Sequence, residues 1–180
     1  MGRVAFVLAD DFEDSEFRVP YDRLIEEGHE VTVVGRTAGK AVTGKRGKEA
    51  FTPTRSADTA SAADFDALVI PGGYSPDKLR MDEGIVKFVK AFFGSDKPVA
   101  AICHGGSLLV EADAVEGRTV TSWPSVRTDL VNAGAEWVDE EVVVDGSLVT
   151  SRKPDDLPAF TEAILDKLDA TRHMRMPADA

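Results

Sequence analysis

The sequence predicts an α/β fold, specifically a flavodoxin-like three-layer α/β/α sandwich with a mostly parallel sheet. Short runs that are apolar at nearly every position are typical of strands buried on both faces of a sheet. Amphipathic stretches separate these runs, as the crossover helices between parallel strands do. No repeat or linker divides the 180 residues. We therefore expect a single domain over residues 1–170, followed by a flexible polar tail over 171–180.

The elements of the first half of the chain follow from apolar spacing. Uninterrupted apolar runs predict strands at Val4–Ala9, Val31–Val34 and Ala67–Ile70. Apolar residues three or four positions apart predict helices at Asp14–Glu27 and Asp82–Phe93. The glycine- and lysine-rich stretch 35–54 predicts a loop or a hairpin.

The second half continues this alternation and ends in a hairpin and a helix. Strands are expected at Val99–Ile102 and Val120–Ser122, and helices at Ser107–Ala112, Ser125–Asn132 and Leu157–Leu168. Asp145-Gly146 is a strong hairpin signal. It predicts pairing between Trp137–Val144 and Ser147–Ser151.

The composition limits which binding partners and which cellular compartment we expect for this protein. The formal net charge is -11, which disfavours nucleic acid and anionic membranes as partners. A single cysteine excludes an intrachain disulfide and suits a reducing cytosol, so we expect a cytoplasmic protein. The apolar run in residues 1–9 is too short for a signal peptide, and no stretch approaches the roughly 18 apolar residues of a membrane span.

The single cysteine, Cys103, stands at the end of a predicted strand and is followed by His104, Gly105 and Gly106. A strand, a turn with two glycines and a helix form an elbow that can present a nucleophile. A helix N-terminus lowers the pKa of a thiol, and the same turn offers backbone N–H groups to an oxyanion. A small buried cysteine in the core is the alternative, and these residues alone favour neither interpretation.

Two carboxylates follow the first strand and are expected at the same sheet edge as the thiol. Glu13 and Glu16 are three residues apart at a helix start, so they share a face. A carboxyl group beside a thiolate tends to stay protonated, because two anions in contact are costly. Favourable placement of acidic residues near the helix N-terminus is the alternative explanation for each of them.

The carboxyl ends of parallel strands meet at one edge of a sheet. This placement also identifies a histidine, an acid and a backbone N–H that could act with the thiol. His29 precedes a strand and His173 lies in the predicted tail, which leaves His104 as the local base. Asp77 could orient the His104 ring, either within the chain or from another subunit. The Gly72-Gly73 turn offers a second N–H for an oxyanion hole.

A phosphate-binding loop and a metal site are both disfavoured. The segment 39–46 nearly matches the phosphate-loop pattern, but Arg46 replaces the magnesium-binding Ser or Thr and no helix follows. The nearby lysines and Arg46 are therefore interpreted as a solvated loop, comprising Lys40, Lys45, Arg46 and Lys48. Cys103 and His104 lack the spacing of paired metal ligands, so neither a metal nor a cofactor is expected.

Four motifs together resemble the PfpI family of intracellular cysteine peptidases, within the class I glutamine amidotransferase-like superfamily. The resemblance covers roughly residues 3–169, with the motifs in the family's order. The motifs are Asp11-Phe12-Glu13-Asp14-Ser15-Glu16, Ala67-Leu68-Val69-Ile70-Pro71-Gly72-Gly73, Ala100-Ala101-Ile102-Cys103-His104-Gly105 and Thr150-Ser151-Arg152-Lys153-Pro154-Asp155-Asp156-Leu157.

The resemblance implies roles for the residues found above. Cys103 would be the nucleophile and His104 its partner, with Glu16 as a protonated carboxyl group against the sulfur and Glu13 nearby. Asp77 would supply the acid that family members contribute across a subunit interface, where Glu is usual. The amides of Gly73 and His104 would form the oxyanion hole. The resemblance also implies a homo-oligomer, either a dimer or a hexamer.

The substrate pocket in this resemblance includes Gly72 and Trp123, and Trp123 replaces a tyrosine found in many peptidase-like members. An indole N–H donates a hydrogen bond but cannot act as a phenolic acid. Family members are described as peptidases, glyoxalases and deglycases, and others as redox sensors or holdase chaperones. A compact site favours a small carbonyl compound or its adduct over a peptide. Glutamine amidotransferase activity is disfavoured, because that triad uses a separate downstream His with an acid two residues later, and His173-Met174-Arg175 supplies no acid.

Overall fold

The structure is a computed structural model that describes residues 1–175. Its strands are β1 Arg3–Val7, β2 Glu30–Gly35, β3 Val42–Thr43, β4 Ala50–Phe51, β5 Arg55–Ser56, β6 Ala67–Ile70, β7 Val99–Ile102, β8 Thr119–Val120, β9 Glu136–Trp137, β10 Val142–Asp145 and β11 Leu148–Ser151. Its α-helices are α1 Asp14–Glu26, α2 Ser75–Leu79, α3 Glu83–Gly94, α4 Gly106–Glu111, α5 Arg127–Asn132 and α6 Leu157–Arg175. Short 3-10 helices lie at Ala62–Asp64, Cys103–Gly105, Pro124–Val126 and Pro154–Asp156.

A seven-stranded sheet in the order β10-β11-β7-β6-β1-β2-β5 forms the middle layer. Every neighbouring pair is parallel except β10 with β11. One apolar core packs α3, α4 and α5 on one face, and a second packs α1 and α6 on the other. The predicted flavodoxin-like sandwich is confirmed. None of the helices in residues 1–175 is long and apolar enough to cross a bilayer.

Several boundaries differ from the sequence-based expectation. The stretch 35–54 forms the antiparallel β3–β4 hairpin, whereas β5 and the short helix α2 were not predicted. The first strand of the predicted C-terminal hairpin begins at Val142, because Trp137 pairs instead with Val120 in a small separate sheet. A two-residue strand pair carries too little periodicity to be recognised in a sequence.

The closing helix is longer than expected. Helix α6 continues to Arg175, so the predicted start of a tail at residue 171 is wrong. The polar side chains there still fit a helix, since Thr171 Oγ1 donates to the Lys167 carbonyl one turn earlier. Residues 176–180, the rest of the predicted tail, lie outside the described residues.

The order of the central strands determines where function gathers. β1, β6 and β7 are neighbours and parallel, so the loops that follow them meet at one edge of the sheet. The segment after β1 carries Glu13 and Glu16, the turn after β6 carries Gly72 and Gly73, and β7 ends at Cys103. This is the edge at which open α/β sheets bind ligands.

Candidate active site

Cys103 occupies a sharp turn at the end of β7. Its φ is 61°, in the left-handed region that residues other than glycine rarely adopt. A 3-10 turn over Cys103–Gly105 leads directly into α4. Gly105 makes this turn possible, because a Cβ there would lie 2.9 Å from the Ile70 carbonyl oxygen. The backbone therefore holds the thiol, which is 8% exposed, in a strained elbow.

The His104 ring lies against the thiol. Its Nδ1 is 3.3 Å from Cys103 Sγ, and its Nε2 is 3.3 Å from Ser125 Oγ. Burial, with the positive charge of Lys45, lowers the pKa of His104, whereas Asp77 raises it. The imidazole is therefore neutral at pH 7. With its proton on Nε2, facing Ser125, it has Nδ1 available to accept the thiol proton.

Trp123 forms a wall of this site. Its ring stacks on the His104 ring, with centroids 6.4 Å apart and planes inclined by 26°. Its backbone N–H donates to the Cys103 carbonyl oxygen at 3.3 Å. Trp123 is 39% exposed, so the indole lies between the His104–Cys103 pair and the solvent.

Glu16 is fully buried beside the thiol. The Cys103 side chain is the hydrogen-bonding group that its carboxyl oxygens meet, and they have no other polar partner among the described residues. A Cβ at Gly72 would lie 2.8 Å from Cys103 Cβ and 2.9 Å from Glu16 Oε1, so Gly72 leaves just enough room for both side chains. Burial, together with the negative charge of Glu13, raises the pKa of Glu16 to about 8. Glu16 therefore holds a proton at pH 7.

The pKa of the Cys103 thiol is raised, in contrast to the sequence-based expectation. Burial is the largest cause, followed by the charge that Glu16 carries when it ionises. The backbone N–H groups of His104 and Gly73 and the charge of Lys45 act in the opposite direction. The expectation was wrong because it considered the helix N-terminus without the burial. The thiol is protonated at rest and needs a base in order to react.

Gly73 is fixed by the segment after β1. Its φ is 75°, and it forms an antiparallel bridge with Phe12. A Cβ at Gly73 would lie 2.4 Å from the Glu13 nitrogen and 2.5 Å from the Asp11 carbonyl oxygen. Only glycine fits this position without moving the backbone. The close approach turns the Gly73 N–H toward the thiol, next to that of His104.

Glu13 is buried but, unlike Glu16, pairs with cations. Its Oε2 lies 2.7 Å from Lys45 Nζ, and its Oε1 lies 3.2 Å from Arg46 Nε. The interpretation of this basic segment as a solvated loop was therefore wrong for Lys45, and Arg46 also contacts Glu13 although 60% of its side chain is exposed. Gly44 was the available signal, because a Cβ there would lie 2.4 Å from Asp14 Oδ1. This glycine lets the loop pack against the start of α1.

Asp77 is the predicted residue that does not join this cluster. It is exposed on α2 and makes no hydrogen bond to His104 within residues 1–175. Only its charge reaches the ring. Ser125, which was not predicted, contacts His104 Nε2 instead. An acid role for Asp77, within the chain or across subunits, stays a prediction.

The chain resembles known proteins over nearly its whole length. Residues 2–167 match the DJ-1/PfpI family. Protein/nucleic acid deglycase 2 of Escherichia coli is 50% identical over 93% of this chain and 98% of its own length. General stress protein 18 of Bacillus subtilis is 51% identical, again over 93% and 98%.

A solved structure shows the same architecture. It is a two-domain protein from Anabaena variabilis that contains dj-1/thij/pfpi-like and ferritin-like domains. The TM-score is 0.92 with 41% sequence identity, over 94% of this chain. The present chain spans about half of that protein, 48% of its length.

Proposed function

From the premise that this chain belongs to the DJ-1/PfpI family, we propose that it converts small 2-oxoaldehydes, or their early adducts on amines and thiols, to hydroxy acids. The observation that carries the proposal is the 3.3 Å contact between Cys103 Sγ and the neutral His104 Nδ1. It pairs a protonated nucleophile with a base able to take its proton. The name of the Escherichia coli relative, a deglycase, supports this class of reaction.

The first step is addition of the thiol to the aldehyde carbon. His104 takes the thiol proton as the sulfur–carbon bond forms, and the carbonyl oxygen becomes an oxyanion. The N–H groups of Gly73 and His104 are the donors that would face this oxyanion. Return of the proton from His104 to that oxygen gives a neutral hemithioacetal.

The second step moves hydrogen within the substrate. His104, neutral again, removes the proton from the former aldehyde carbon and returns it to the neighbouring keto carbon, while the hydroxyl proton of the hemithioacetal passes to the keto oxygen. The former aldehyde carbon is oxidised and the keto carbon is reduced, so no external redox partner is needed. Water then hydrolyses the resulting thioester, which releases the hydroxy acid and the Cys103 thiol. An adduct on an amine would release the free amine as well.

Glu16 supports this sequence as a neutral group. A protonated carboxyl group donates a hydrogen bond to the sulfur and adds no second negative charge when the thiolate forms. Its full burial and its contact with the Cys103 side chain, without another polar partner among the described residues, are consistent with this role. An ionised Glu16 would repel the thiolate and slow the first step.

Methylglyoxal turnover, followed as lactate formed, tests the proposal. We expect Cys103→Ser to lower kcat/KM by about 1,000-fold or more and His104→Ala by about 100-fold. His29→Gln is the matched control, since His29 lies at the opposite edge of the sheet, and it should retain wild-type turnover. Equal turnover by wild type and Cys103→Ser would refute the proposal.

Two further arms of this assay separate the alternatives. Cys103-dependent cleavage of fluorogenic peptides without turnover of methylglyoxal would identify a cysteine peptidase instead. No turnover of either substrate, combined with reversible oxidation of Cys103 by peroxide, would identify a redox sensor.

A further inference from the structure

Three backbone segments lie side by side next to the thiol. Phe12 bridges to Gly73 on one side and to Gly44 on the other. The Glu13 N–H donates to the Gly72 carbonyl oxygen at 3.1 Å, and the Lys45 N–H donates to the Phe12 carbonyl oxygen at 2.9 Å. The β3–β4 connection is therefore joined through the segment after β1 to the turn that contacts Cys103.

Asp14 fixes the shape of that connection. Its carboxylate accepts backbone hydrogen bonds from Arg46 at 3.0 Å, Lys48 at 2.9 Å and Glu49 at 3.0 Å. Burial alone would raise the pKa of Asp14, but these backbone N–H groups lower it below its ordinary value. The carboxylate is thus ionised and holds the segment 44–49 against α1 at neutral pH.

Segment 44–49 also places two positively charged side chains, Lys45 and Arg46, against Glu13. Lys45 Nζ lies 2.7 Å from Glu13 Oε2, and Arg46 also contacts this carboxylate, so one anion faces two cations. The hydrogen bond to Glu13 raises the pKa of Lys45, which keeps its ammonium charged. Among the groups around the thiol, Glu16 and His104 are neutral at pH 7. Lys45 and Arg46 carry two positive charges against the one negative charge of Glu13, so these three residues together have a net positive charge.

We propose that Lys45 is a positioning residue for Cys103, holding at Glu13 the positive charge that stabilises the thiolate and the oxyanion formed from it. It acts through space and not by touching the reacting atoms. Lys45 suits this role better than Arg46, because its side chain is 34% exposed and that of Arg46 is 60% exposed. Solvent screens the more exposed charge. The inference rests on Cys103 acting as the proposed nucleophile.

The rate of Cys103 alkylation by iodoacetamide, measured against pH, tests this role without any substrate. A nearby opposite charge shifts a pKa by about 1–3 units, so Lys45→Met should move the midpoint of the profile upward by roughly one unit. At pH 7 its rate should fall roughly tenfold. Lys45→Arg should restore the wild-type midpoint, because it keeps the charge.

Matched controls separate charge from structure. Lys48→Met removes an exposed cation from the same segment and should leave the midpoint unchanged. A change in access to the thiol would alter the plateau rate but not the midpoint. Arg46→Met should give a smaller upward shift than Lys45→Met.

A variant that should shift the midpoint downward keeps the proposal testable if Lys45→Met does not fold. Glu13→Gln removes the anion that offsets Lys45 but keeps a side-chain oxygen that can accept from its ammonium, so the midpoint should move below the wild-type value. A wild-type midpoint in folded Lys45→Met, or an upward shift in Glu13→Gln, would overturn the proposal. Methylglyoxal turnover in Cys103→Ser tests the proposed function, whereas the alkylation profiles test the role of Lys45. A failure of one can therefore be distinguished from a failure of the other.

Discussion

The two edges of the central sheet each bury a titratable side chain beside a glycine, but they treat these residues differently. At the amino edge, His29 accepts a hydrogen bond from the Gly2 N–H at 3.1 Å, and nothing lies within 4 Å of a Cβ built at Gly28. At the carboxyl edge, Glu16 has no polar partner other than the Cys103 side chain among the described residues, and a Cβ at Gly73 would overlap the backbone.

This difference distinguishes a titratable side chain that is buried for structural reasons, His29, from one that is buried at the candidate active site, Glu16. A buried polar group normally has a partner, because desolvation without one is costly. His29 follows that rule by accepting from a backbone N–H, whereas Glu16 has only the thiol of a strained cysteine beside it. Conformational strain and unsatisfied polar groups cluster at functional sites, where the rest of the fold must stabilise them. Substitutions that compare the two edges test this interpretation.

Substitution of the two glycines should show the largest difference. Gly73→Ala requires a left-handed alanine and movement of the backbone around Glu13, so we expect a loss of about 4 kcal/mol in the free energy of unfolding. Gly28→Ala meets only the conformational penalty, which is about 1 kcal/mol. Urea unfolding of both variants measures this. Equal losses would mean that the carboxyl edge is no more tightly packed than the amino edge.

Glu16→Gln should stabilise the protein at alkaline pH. The folded state keeps the Glu16 proton up to about pH 8, whereas the unfolded state releases it near pH 4.5. Wild-type stability is therefore lost as pH rises from 4.5 through 8, and glutamine removes that loss. Already at pH 7 we expect a gain on the order of 3 kcal/mol, with little difference at pH 4. If the urea midpoints of wild type and Glu16→Gln changed with pH in the same way, Glu16 would not be a buried, protonated group.

His29→Gln should have the smallest effect and the opposite pH dependence. Burial lowers the pKa of His29, so the folded state binds its proton less readily than the unfolded state does. The contribution of neutral His29 is present above its unfolded pKa of 6.5 and is lost as pH falls below that value. Glutamine does not ionise, so the variant should lose less stability than wild type between pH 6.5 and 5. Thermal unfolding at several pH values checks this.

The sequence supported the fold well wherever apolar runs were uninterrupted. β6 and β7 have the predicted boundaries, because four consecutive buried residues admit little ambiguity. The strand-edge rule also brought Glu13, Glu16 and Gly73 to Cys103. Short elements such as α2, and the continuation of α6 past Leu168, depend on tertiary contacts or local hydrogen bonds that leave no periodic signal.

Charge and burial at the site were harder to predict. Lys45 lies 32 residues after Glu13 in the chain, and tertiary contacts of segment 44–49 with Phe12 and Asp14 bring them together. The raised pKa of Cys103 likewise depends on how deeply the folded chain buries the thiol. A local motif shows that a thiol precedes a helix, but it does not show how much water that thiol retains.

The protonation state of Glu16 is the central claim, because a neutral carboxyl group beside Cys103 distinguishes the carboxyl edge from ordinary burial. The direct measurement is the infrared carbonyl band of a protonated carboxyl group, taken as the difference between wild type and Glu16→Gln from pH 5 to pH 10. We predict a band that is present at pH 7 and titrates away with a pKa of about 8. Its absence throughout this range, with Glu16 ionised already at pH 5, would contradict the account.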